Sequence, residues 1–84
     1  MAKHPRKTPL LAVFGTNVRL GRVRAGMSQE ELAAAIGTDQ SFISKIERGT
    51  SAASLETVAR IAAALDVHPG ELMDENLGRP KREV

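Results

Sequence analysis

Proline is absent from residues 10–68, and glycines 26, 37 and 49 each end a stretch of helical apolar periodicity. A chain punctuated in this way is confined to short helices joined by tight turns. Without proline the backbone ladder can propagate, and glycine supplies the left-handed residue that closes a helix. Strand signals are lacking, with no sustained alternation and no Asn-Gly or Asp-Gly turn.

Five helices are predicted. The first spans Pro9 to Ala25, with Thr8 as N-cap and proline in the first turn. The second follows Ser28, where Ser28-Gln29-Glu30-Glu31 spells a capping box. The third opens at Asp39 and ends near Arg48. The fourth starts at Ser54 and places Leu55, Val58, Ala62 and Leu65 on one stripe, widened by Ile61. The fifth is short, from Pro69 to about Glu75, and His68 caps it. The fold class is therefore all-α, a compact five-helix domain over residues 9–76. A flexible basic arm (1–8) and a flexible basic tail (77–84) flank it.

The sharpest pattern is Gln29 to Arg48, which reads QEELAAAIGTDQSFISKIER. Leu32, Ile36, Ile43 and Ile46 supply a shared core. Ala33 falls where a larger side chain would hold two helices apart, and Gly37 where the turn needs positive φ. An ordinary αα-hairpin needs only the glycine turn. The matching positions at fixed offsets favour a helix-turn-helix unit, whose second helix enters the DNA major groove.

Composition narrows the classes. At 84 residues the chain has room for one small domain, and with no cysteine it has neither disulfides nor a cysteine zinc site. His4 and His68 are too far apart to suggest a metal centre, so neither metal nor cofactor is expected. The longest apolar run, Leu10–Phe14, is too short for a membrane span or a signal peptide, and a soluble cytoplasmic protein is expected. Catalysis is not expected either: the carboxylates fall at caps and exposed faces, and no nucleophile has an evident base.

The net charge of +2 conceals strong patterning. Residues 1–27 carry six bases and no acid, whereas residues 28–78 carry nine acids against three bases. A basic arm on an acidic body suits a polyanion touched at selected places, though a solubilising N-terminus would look the same.

From Phe14 to Met73 the chain resembles the Cro/repressor-type helix-turn-helix family, also called the xenobiotic-response-element family. The stretches that carry the likeness are FGTNVRLGRVRAGMSQEELAAAIGTDQSFISKIERG and SLETVARIAAALDVHPGELM. In length it is also similar to the small controller proteins of restriction–modification systems. The resemblance implies a five-helix DNA-binding domain, normally a homodimer on a palindromic operator. Gly21 departs from the pattern, since the family usually has a longer side chain there.

Individual residues can then be assigned. In the first helix Leu11, Phe14, Val18, Arg22 and Ala25 share a stripe, which puts Arg22 on the apolar face. Glu47 lies on the inward stripe of the third helix, four residues beyond Ile43. A lone buried charge is costly, so an Arg22–Glu47 salt bridge is expected. Off the buried face, Gln40, Ser41, Ser44 and Lys45 are candidates for base edges, with glutamine suited to adenine and lysine to guanine. Phe42 is ambiguous between packing and a thymine methyl. Gln29, Arg48, Thr50 and Ser51 are candidates for phosphates, and Lys3, Arg6 and Lys7 for the backbone or a minor groove. Arg19 and Arg24 fit a solvated face.

One such domain covers only a half-site, so a homodimer is expected, with Val67, Leu72 and Met73 at its interface. The same residues would otherwise finish the monomer core. Double-stranded DNA is the expected partner. An alternative is an antitoxin or co-regulator whose main partner is another protein.

Overall fold

The computed structural model describes residues 9–75. Four α-helices, α1 (Leu10–Arg24), α2 (Gln29–Ile36), α3 (Gln40–Glu47) and α4 (Leu55–Leu65), are followed by a 3-10 helix at Pro69–Met73. The expected arm and tail lie outside the described residues, as does the Thr8 cap.

The caps explain the breaks. Ser28 Oγ accepts from the Glu31 N–H at 3.0 Å, and Glu31 Oε1 accepts from the Ser28 N–H at 2.7 Å, which completes the capping box. Asp39 caps α3 by accepting from the Phe42 N–H, and Ser54 caps α4 by accepting from the Thr57 N–H. Gly37 ends α2 at φ 77°, a conformation that a β-carbon would strain.

Four expectations are corrected. α1 begins one residue later than predicted: Pro9 occupies the cap position, and its carbonyl accepts from the Val13 N–H at 2.9 Å. The fifth helix is a 3-10 turn, not an α-helix. Its five residues include Gly70, a poor helix former, and so short a piece is better closed by i→i+3 bonds. His68 does cap it, accepting from the Gly70 N–H at 3.1 Å. Leu55 is not core but 85% exposed, because the apolar stripe of α4 runs past the surface available to cover it. The ends of the α1 stripe, Leu11 and Ala25, are exposed for the same reason.

The core joins Phe14 and Val18 of α1 to Leu32, Ala33 and Ile36 of α2. Ile43 and Ile46 of α3, Val58, Ile61, Ala62 and Leu65 of α4, and Leu72 complete it. α1 packs on α3 and on the 3-10 helix, while α2 packs on α3 and α4. α3 is thus wedged between α1 and α2, with one side left open. Gly21 is accommodated rather than anomalous: a β-carbon there would come within 3.0 Å of Leu65 Cδ1.

Candidate nucleic-acid interface

The two sides of α3 differ completely. Ile43 and Ile46 have no exposed surface, whereas Gln40, Ser41 and Lys45 are exposed and Ser44 is half-buried. This follows from sequence, since Ile43 and Ile46 stand three positions apart on one side of the octet, with Phe42 at its edge and polar residues elsewhere.

Arg22 and Glu47 fix the orientation of α3. Arg22 Nε donates to Glu47 Oε2 at 2.6 Å and Nη2 donates to Oε1 at 3.1 Å, a two-pronged contact. Nη1 donates to the Met27 carbonyl at 2.8 Å, so the guanidinium also ties down the loop before α2. The side chains are only 14% and 5% exposed. The hydrogen bond to Glu47 raises the Arg22 pKa above its already high ordinary value, with burial opposing.

The same carboxylate reaches towards the outward face. Gln29 Nε2 donates to Glu47 Oε1 at 3.0 Å, and Gln40 Nε2 donates to Gln29 Oε1 at 3.2 Å. Gln29, expected only as a phosphate ligand, therefore also joins the first residue of α3 to the buried ion pair. Farther along, Arg48 Nη1 donates to Ser44 Oγ at 2.6 Å. Thr50 Oγ1 donates to the Lys45 carbonyl and Ser51 Oγ to that of Ala52. Gln29, Gln40, Ser44, Lys45 and Arg48 are thus gathered around α3, with Thr50 and Ser51 in the loop that leaves it. Phe42 packs against the core. Arg19 and Arg24 are exposed on α1. Lys3, Arg6 and Lys7 lie outside the described residues.

The expected interface set divides. Val67 and Met73 are half-buried against the core and keep exposed surface. Leu72 is corrected: it has 0% exposure within the single chain and belongs to the monomer core.

Two positioning residues escaped sequence reasoning. Asn17 is 3% exposed, and its Nδ2 donates to the carbonyls of Glu71, Leu72 and Asp74 at 3.2, 3.0 and 2.8 Å. Gly15 lies against the end of α3, where a β-carbon would overlap the Ile46 carbonyl oxygen. The available signal was the spacing of Phe14, Asn17, Val18 and Gly21, which is itself a helical stripe with a polar member.

Among the described residues no cluster of three or more His, Cys, Asp or Glu could hold a metal ion. Within the same residues no helix is long and apolar enough to cross a membrane.

Known proteins are similar to this chain in sequence and in fold. A helix-turn-helix family profile matches residues 18–72. Control protein C.BamHI of Bacillus amyloliquefaciens is 43% identical over 63 residues, covering 74% of this chain and 78% of that protein. A hypothetical transcription factor of Neisseria meningitidis is 40% identical over 72 residues, covering 86% and 68%. Among solved structures, the restriction–modification controller protein C.AhdI of Aeromonas hydrophila superposes with a TM-score of 0.71 at 42% identity, covering 74% of this chain and 94% of that one. The controller protein C.Esp1396I, solved as a tetramer on its natural 35 base-pair operator, matches with a TM-score of 0.70 at 27% identity, covering 79% and 87%. The profile spans more than half the chain and the similarity covers most of the controller proteins' length, so this chain belongs to the helix-turn-helix family.

Proposed function

We propose that the chain is a sequence-specific DNA-binding transcriptional regulator. It seats α3 in the major groove and acts as a homodimer on a palindromic operator. The observation that carries this reading is the division of α3 into a sealed apolar side and an open polar side. An α-helix fits the major groove only if one side is free along its length, and the helix-turn-helix arrangement presents it that way.

Gln40 and Ser41, at the leading end of α3, take base edges, with Ser44 and Lys45 behind them. Glutamine offers adenine a donor and an acceptor together, and lysine favours guanine. Gln29, Arg48, Thr50 and Ser51 take phosphates, which fix register without reading sequence. Two-fold pairing, with Val67 and Met73 at the contact, would set the two half-sites about 34–36 Å apart. The operator-bound tetramer of C.Esp1396I supports multimeric binding, and the regulatory relatives favour DNA over a protein as the main partner. A regulator of this kind works in the cytoplasm, without a cofactor and without catalysis.

Selection of binding sites from random duplexes tests the reading. The expected result is a two-fold symmetric consensus, and no enrichment at all would overturn the function. Gln40→Ala should weaken binding to the selected site by about 1–3 kcal/mol and relax one base pair per half-site. An equal loss on random DNA would remove Gln40 from the base readers.

A further inference from the structure

We propose that Glu47, whose side chain is largely buried in its ion pair with Arg22, sets the base preference of Gln40 by fixing the direction of two side-chain amides. The proposal rests on the DNA-reading assignment of α3 and deepens it. Glu47 Oε1 lies 3.0 Å from the Gln29 amide, and the Gln29 amide lies 3.2 Å from that of Gln40.

An ionised carboxylate has no proton to give, so the end of the Gln29 amide that faces it must be the nitrogen. The oxygen of Gln29 must then face Gln40, and only a donor can meet it there. The Gln40 nitrogen is therefore turned towards Gln29. One orientation follows from the other because each amide has one accepting and one donating end. Arg22 holds the carboxylate through its other contacts, so the starting point of the relay does not swing.

Left to itself, an exposed glutamine amide turns over freely and can offer either end to a base. The relay removes that choice. The remaining N–H and the Oε1 of Gln40 are presented in a fixed order. That order suits a base with an acceptor beside a donor, as adenine has at N7 and N6. Guanine has acceptors at both N7 and O6, so the pinned Oε1 of Gln40 would face another acceptor. Glu47 is in this sense a positioning residue for discrimination between the purines, without touching DNA.

The test compares sites selected from a random duplex library by the wild-type chain, Gln40→Ala, Glu47→Gln and Gln29→Met. The position relaxed by Gln40→Ala identifies the base pair that Gln40 reads. At that position adenine-over-guanine preference should fall by about tenfold in Glu47→Gln and in Gln29→Met, the low end of what one bidentate base contact is worth. Preferences at all other positions should persist. Gln29→Met breaks the relay while leaving Arg22 and Glu47 paired, so it decides the matter even where Glu47→Gln fails to fold. Retained preference in Gln29→Met or in a folded Glu47→Gln, or equal relaxation at every position, overturns the relay while the DNA-reading function stands. A wild-type chain that selects no sequence overturns both.

Discussion

Helix α1 fastens two different regions, and it does so in two different ways. On one side it holds α3 through the Arg22–Glu47 ion pair, with both partners supplying side chains. On the other it holds the 3-10 helix through Asn17, whose amide grips backbone carbonyls, with Leu72 inserted into the core beside it. The first fastening orients α3, the surface proposed to meet DNA. The second closes the domain. The contrast teaches that a side-chain pair leaves two marks in a sequence, whereas a side chain that binds backbone leaves only one.

The α3 fastening should be the costlier one to break. Glu47→Ala strands a largely buried guanidinium and is expected to destabilise the fold by about 3–5 kcal/mol. Thermal or denaturant melting measures this directly, and an unchanged midpoint would mean that the bridge contributes orientation alone. Asn17→Ala removes the two N–H donors shared among three carbonyls, of which that of Glu71 keeps the Asp74 N–H, and should cost about 1–3 kcal/mol. Because Asn17 does not touch α3's polar contacts, its variant should keep the base preferences of the wild type in site selection. A shift in preference would show that the two fastenings are coupled. Leu55→Ser, at an exposed position outside both fastenings, should change stability by no more than about 0.5 kcal/mol. A larger loss on melting would mean that the α4 tip is covered in solution.

Much of the candidate site was legible before any coordinates. The serine and aspartate caps, Gly37 at the turn and the apolar residues of α2 and α3 together dictate two short helices with one face of α3 inward. Arg22 and Glu47 could be paired in advance because each is a charge on an apolar stripe. Leu55 and Leu72 were misjudged because periodicity gives the direction of a side chain but not whether a neighbour lies there. The Pro69 segment was misjudged because a run so short carries too few residues to separate an α-turn from a 3-10 turn.

What sequence determined by itself was local: where each helix starts and stops, and which way its residues face, since capping and periodicity act within a turn or two of chain. What only the tertiary structure decided was every relation between distant segments. Asn17 meeting the carbonyls of residues 71, 72 and 74, Gly15 admitting the end of α3, and Gln29 standing between Glu47 and Gln40 all depend on how the helices cross. Backbone carbonyls and the two-ended amides of glutamine look the same at every position in a sequence. Their partners are chosen by distance and direction, which exist only once the chain has packed.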